Sequence, residues 1–100
     1  MNCVTYSKER MDKAVDGIQQ IHSALVEHND PYPKNVLIVP GDPERVVWID
    51  FDVAITYPDG AYIGERERGW LEMETGCVES FGEMLADDQK HGLPPNTKYY

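Results

Sequence analysis

The spacing of apolar and polar residues predicts a helix at the start of the chain. Over residues 7–27 the apolar side chains recur every three or four positions, as on one face of a helix. These are Met11, Ala14, Val15, Ile18, Ile21 and Leu25, with His22 in phase with them. Ser7 is a suitable N-cap, and the Asn-Asp-Pro sequence at 29–31 ends the pattern. We therefore predict a first amphipathic helix over 7–27.

Two short apolar runs follow this helix. Val-Leu-Ile-Val occupies 36–39 and Val-Val-Trp-Ile occupies 46–49, with a segment rich in proline, glycine and charge between them. Short, β-branched runs bounded by turn residues are typical of a β-hairpin. Their lack of strict alternation predicts that both faces of the hairpin are buried.

A second amphipathic helix is predicted over about residues 69–90. Residues 57–68, with a Pro-Asp-Gly turn and a charged run at 65–68, are expected to form a loop. Apolar side chains then recur at helical spacing at Trp70, Met73, Cys77, Phe81, Met84 and Leu85. Gly92 and the following prolines end the pattern. Two helices and a hairpin give an α+β fold class.

Composition limits the chain to one modest hydrophobic core and reduces the classes of binding partner that are expected. With 100 residues, of which 41% are hydrophobic, a single domain or part of one is expected. The net charge of −9 excludes a basic surface for nucleic acid. The first thirty residues contain neither a signal peptide nor a membrane span, so an intracellular, cytoplasmic protein with no membrane partner is expected. Cys3 and Cys77 are expected to be reduced thiols.

The segment that carries recognisable chemistry begins at His28. His28, Asp30 and Asn35 form an H-x-D-x-x-x-x-N pattern after the first helix, and Asp50-Phe51-Asp52 follows the second predicted strand. This arrangement resembles the catalytic loop (28–35) and metal loop (50–52) of protein kinases, whose signatures are HRDxxxxN and DFG. The Asp-Phe-Asp version is most similar to fungal-type kinase-like proteins.

The resemblance implies a role for each of these side chains in ATP- and Mg²⁺-dependent phosphoryl transfer. Asp30 would orient the acceptor hydroxyl and accept its proton, while Asn35 and Asp50 would bind Mg²⁺ and, through it, the nucleotide. His28 and Phe51 would be structural, with His28 packed beneath the loop. Phosphoryl transfer needs such separate but adjacent groups, because one carboxylate must meet the hydroxyl while other oxygens hold the metal.

Several positions depart from the kinase pattern. Asn29 replaces the arginine of HRD, which removes a partner for a phosphorylated activation segment. Tyr32 stands where protein kinases have a phosphate-contacting lysine, and Lys34 is expected to point in a different direction. In the later segment that resembles a kinase DVxSFGxxL helix, Cys77 stands in place of the aspartate. If the segment corresponds to that kinase helix, an anchor for the catalytic loop is expected to be missing. The alternative is an ordinary helix whose apolar side chains face the core.

Three functional hypotheses follow from these observations. No glycine-rich loop or strand lysine precedes the first helix, so we expect a truncated kinase-like large lobe, residues 1–100, that transfers phosphate to a protein or small-molecule hydroxyl. The alternative is a pseudokinase-like remnant that acts as a binding or interaction module. A third hypothesis is a small acidic binding domain in which the pattern is coincidental. An incomplete lobe would expose apolar surface at 36–39 and 46–49, which predicts self-association.

Overall fold

The computed structural model describes residues 1–95 and has an α+β architecture, as the sequence predicts. It contains helices α1 (Lys8–Ser23) and α2 (Glu65–Lys90), strands β1 (Val26–Glu27), β2 (Val36–Val39), β3 (Arg45–Trp48) and β4 (Ile55–Thr56), and 3-10 turns at Pro33–Asn35 and Gly60–Tyr62. Strands β2 and β3 form one antiparallel pair, and β1 and β4 form another. Within the described residues, neither helix is both long and apolar enough to cross a membrane.

Helix α1 begins where the sequence predicts but ends earlier. Its start is capped by Ser7, whose hydroxyl accepts a hydrogen bond from the backbone N–H of Arg10 at 3.1 Å. Leu25 has a left-handed φ of 64°, which ends the helical conformation before the Asn-Asp-Pro sequence is reached. The next residues instead form β1, which pairs with β4. The predicted extension of the helix to residue 27 is therefore wrong.

The predicted hairpin is present, but only one of its faces is well buried. Val36 lies opposite Trp48 in the β2–β3 pair, and these two side chains are in the core. The indole N–H of Trp48 donates to the carbonyl oxygen of Ala14 in α1 at 2.9 Å. Leu37, on the other face, is 45% exposed. The prediction of burial on both faces is wrong because α1 covers one face of the hairpin only.

Two glycines allow the elements around the core to approach closely. The core consists of Cys3, Met11, Ala14, Ile18, Val36, Trp48, Val78 and Leu85. A Cβ atom on Gly17 would lie 3.0 Å from Cδ1 of Trp48, and one on Gly82 would lie 2.8 Å from Cγ of Met11. Both contacts are unusually short, so a side chain at either position would require Trp48 or Met11 to shift, and glycine favours the close packing of α1 against β3 and α2.

Helix α2 differs from its prediction in its start and in its buried face. The charged run at 65–68 was expected to be a loop but forms the first turn, where the Glu67 carboxylate accepts from the backbone N–H of Gly64 at 3.2 Å. The buried face carries Glu74, Val78, Gly82 and Leu85. The predicted apolar face is correct at Leu85, which is in the core, but wrong at Trp70, Met73 and Met84, which are 42%, 69% and 44% exposed.

Candidate functional site

His28 connects the predicted catalytic loop to the predicted metal loop. The residue is fully buried, and its Nδ1 accepts a hydrogen bond from the backbone N–H of Asp30 at 3.2 Å. Its Nε2 therefore carries the proton and donates to the carbonyl oxygen of Ile49 at 2.8 Å. The ring also packs against Trp48 and Phe51, with ring centres 5.2 and 4.9 Å away. These contacts fix both loops relative to the core.

Asp30 and Asn35 are brought into direct contact. The side-chain amide of Asn35 donates to the backbone oxygen of Asp30 at 2.8 Å and to its carboxylate Oδ2 at 3.0 Å. Asn35 is only 4% exposed, and its backbone oxygen accepts from the N–H of Ile49 at 2.8 Å. The amide nitrogen is thus used within the loop, while the amide oxygen accepts no hydrogen bond from residues 1–95.

Asp50 joins this group through the backbone rather than through its side chain. It follows Ile49, which is hydrogen-bonded to both His28 and Asn35. The Asp50 side chain is exposed and makes no hydrogen bond or ion pair with any residue of 1–95. Across the same residues, no three His, Cys, Asp or Glu side chains are grouped so that they could hold a metal ion. Asp30, Asp50 and Asp52 therefore do not form a cluster of three carboxylate ligands.

The backbone is strained at both predicted loops. Asn29 has a φ of 67° and Asp50 a φ of 62°, both in the left-handed region. Asn and Asp tolerate this conformation better than other side chains do, but it persists only where surrounding contacts hold it. The left-handed conformation of Asn29 and Asp50 therefore indicates that packing and hydrogen bonds hold these loops in shape.

A buried glutamate of α2 holds the start of the predicted catalytic loop. Glu74 is 6% exposed, and its two carboxylate oxygens accept from the backbone N–H groups of His28 at 2.9 Å and Asn29 at 2.7 Å. The ring Nε2 of His22 donates to the same carboxylate at 2.9 Å. Burial alone raises the pKa of Glu74, but these hydrogen bonds outweigh it and hold the pKa below its usual value.

Glu74 provides the anchor that the sequence was expected to lack. The kinase pattern places an aspartate at the position of Cys77, which is exposed here. Glu74 lies about one helical turn earlier and faces the interior with Val78 and Leu85. The expectation that the anchor is missing is therefore wrong. Its spacing from Val78 and Leu85 was the available signal, because an acidic residue in phase with a buried face is unusual.

The Lys34 side chain lies beside Tyr32, the position where protein kinases have a phosphate-contacting lysine. Its Nζ is 5.5 Å from the centre of the Tyr32 ring, and that ring packs against Phe81 with centres 5.0 Å apart. A cation above an aromatic ring is a favourable arrangement. The expectation that Lys34 does not take the place of the kinase lysine stays a prediction, although the 3-10 turn at Pro33–Asn35 lies between the two side chains that meet here.

Comparisons with protein-family models, with curated proteins and with solved structures gave no match for this chain.

Proposed function

We propose that this chain carries the catalytic-loop and metal-loop portion of a kinase-like phosphotransferase, which uses ATP and Mg²⁺ to phosphorylate a hydroxyl acceptor. The observation that carries the proposal is the hydrogen-bonded connection of the two loops. His28 and Asn35 each bond to the backbone of Ile49, directly before Asp50, and Asn35 also bonds to Asp30. Residues separated along the chain are thus linked, which supports the proposal because phosphoryl transfer depends on the positioning of its catalytic groups.

The available oxygen atoms suit Mg²⁺, which in turn would hold the nucleotide phosphates. Mg²⁺ is commonly held by one or two protein oxygens together with phosphate oxygens and waters. The exposed Asp50 carboxylate and the Asn35 amide oxygen are metal ligands of this kind. Neither accepts a hydrogen bond within residues 1–95. Bound Mg²⁺ would neutralise charge on the phosphates. Asp30 would orient the acceptor hydroxyl and accept its proton as the hydroxyl oxygen bonds to the γ-phosphorus and ADP leaves.

The second candidate function is a non-catalytic binding module related to pseudokinases. It is favoured by the 3.0 Å hydrogen bond from Asn35 to the Asp30 carboxylate, which occupies one oxygen of the predicted catalytic base. Such a module would retain the loop geometry but would not turn over ATP.

Calorimetric titration of the chain with ATP, in the presence and absence of Mg²⁺, tests the proposal. We expect binding that requires Mg²⁺ and that weakens about tenfold or more in Asp50→Asn, because a charged metal ligand is lost. Asp16→Asn is the matched control, since it removes the same charge from an exposed position on α1. Equal binding by wild type and Asp50→Asn, or no binding by folded protein, would contradict the proposal.

Asp30→Asn separates the enzyme from the binding module. An enzyme would lose ATP turnover about a hundredfold or more in this variant while ATP binding changes little, because the general base acts in the chemical step. Release of ADP, measured with and without added hydroxyl compounds, reports turnover. Mg²⁺-dependent ATP binding with no ADP release by wild type would support the binding module instead.

A further inference from the structure

An open cavity beside the predicted catalytic loop is lined by apolar side chains and by two glutamates. It measures about 420 Å³, a size that accommodates small ligands. Ile55, Trp70 and Met73 contribute to the apolar wall, and Glu27 and Asn29 contribute polar groups. The apolar side chains of α2 that face away from the core thus line this cavity.

Glu27 is a largely buried residue whose carboxylate keeps some access to solvent and has no partner in residues 1–95. It is 7% exposed, and within residues 1–95 its carboxylate makes no hydrogen bond or ion pair. Burial, followed by the charge of Glu74, raises the pKa of Glu27. His22, which is bonded to Glu74, lowers the pKa of Glu27, but by less than burial and Glu74 together raise it. A second polar group close by, the Tyr57 hydroxyl, is also buried without a hydrogen-bond partner.

The surroundings of Glu27 favour an ammonium group over a metal ion. A hard cation needs several oxygen ligands, whereas both Glu74 oxygens already accept hydrogen bonds. An ammonium group brings three N–H donors and needs only one carboxylate to balance its charge. The amide nitrogen of Asn29 donates to the backbone of Val53 at 3.3 Å, so its amide oxygen remains an acceptor for a second N–H. The apolar wall suits a hydrocarbon body attached to the amine.

We propose that this cavity binds a small organic molecule that has a protonated primary amine and an apolar body, with the ammonium paired to Glu27. The ligand is thus defined by its positive charge, which pairs with Glu27, and by its apolar body, which matches the apolar lining of the cavity. The proposal does not rest on phosphoryl transfer, because neither ATP nor Mg²⁺ contributes to the binding.

Titration with 2-phenylethylammonium, followed by the indole N–H signals in NMR spectra, tests the proposal. The signal of Trp70, which lines the cavity, is expected to shift and saturate, whereas that of Trp48, which is bonded to Ala14 in the core, is expected to stay. The neutral analogue 2-phenylethanol is expected to bind at least about tenfold more weakly, because it lacks the charge-assisted hydrogen bond.

Glu27→Gln is the decisive variant. It retains the size of the side chain and removes a desolvated charge, so the fold is expected to persist, and the NMR spectrum reports this directly. We expect an affinity for 2-phenylethylammonium at least about tenfold lower than that of wild type. Glu72→Gln, on the exposed face of α2, changes the net charge equally and is expected to bind as wild type does.

Thiol alkylation gives a second readout on the same cavity. Cys77 is exposed and lines the cavity, whereas Cys3 is 2% exposed. The ammonium probe is expected to slow alkylation of Cys77 in wild type but not in Glu27→Gln. Equal binding of the alcohol and the amine, equal affinity of wild type and Glu27→Gln, or no effect of the amine on Trp70 and Cys77 would each overturn the proposal.

Discussion

Glu74 and Glu27 are two glutamates of similar burial with opposite surroundings. They are 6% and 7% exposed, and both line the cavity beside the predicted catalytic loop. Glu74 accepts hydrogen bonds from one side chain and two backbone N–H groups, while Glu27 accepts none from residues 1–95. The pKa of Glu74 is accordingly lowered and that of Glu27 is raised. The comparison shows that hydrogen-bond partners, rather than burial, separate a structural carboxylate from one that is available to a ligand.

Replacement of Glu74 is expected to have the largest effect on stability. Glu74→Ala would leave two buried backbone N–H groups and the His22 side chain without their acceptor. We expect the free energy of unfolding to fall by about 3 kcal/mol or more, measured by urea denaturation. Glu72→Ala, on the exposed side of the same helix, should change it by less than about 0.5 kcal/mol. Similar effects of the two variants would contradict the anchoring role.

Removal of the charge at Glu27 is expected to raise the free energy of unfolding, whereas loss of Glu74 lowers it. In Glu27→Gln a neutral amide replaces a buried carboxylate that has no partner, so we expect the free energy of unfolding at pH 7 to rise by roughly 1 kcal/mol. Because the pKa of Glu27 is raised in the folded protein, this gain should shrink as the pH falls from 7 towards the ordinary glutamate pKa, about 4.3. A gain that does not depend on pH would show that charge is not its cause.

The pH dependence of Glu74 should have the opposite sign. Its pKa is lowered on folding, so its contribution to stability is complete above the ordinary glutamate pKa, about 4.3, and is lost as the pH falls through the lower folded value. The difference in unfolding free energy between wild type and Glu74→Gln should therefore narrow in acid, as measured by urea denaturation at successive pH values. A difference that widens in acid would contradict the assigned pKa direction.

The smallest effect is expected at the position where the kinase pattern places its anchor. Cys77 is exposed, so Cys77→Asp should change the free energy of unfolding by no more than about 0.5 kcal/mol. The double variant Glu74→Ala/Cys77→Asp should remain as unstable as Glu74→Ala. Recovery of stability in the double variant, again by urea denaturation, would show that α2 can turn to present residue 77 to the loop.

The sequence predicts the helix and hairpin positions well where local patterns and packing agree. Ser7 and the apolar positions that follow it mark α1, and β-branched residues mark β2 and β3. The buried face of α2 was not predictable from hydrophobicity alone. Trp70 and Met73 are more apolar than Gly82 and Glu74, yet Gly82 faces the core, where the Met11 side chain packs closely against it.

The candidate site was predictable only in part. The motif spacing placed Asp30 and Asn35 in one loop, and these two residues are in direct contact. The anchoring role of Glu74 depends on backbone N–H groups of the loop before it, and such groups carry no signature in the sequence. Glu27 was missed for a related reason, since an acidic residue at the end of a helical pattern is usually exposed to solvent.

The attachment of His28 and Asn29 to Glu74 has a consequence for hydrogen exchange. Amide hydrogens of a loop usually exchange with solvent quickly, because small local openings are enough to expose them. Here both backbone N–H groups donate to the Glu74 carboxylate, in the middle of α2. Their exchange requires separation of the loop from the helix, so these two amides should exchange as slowly as the helical core, and the loop and α2 should open as one cooperative unit.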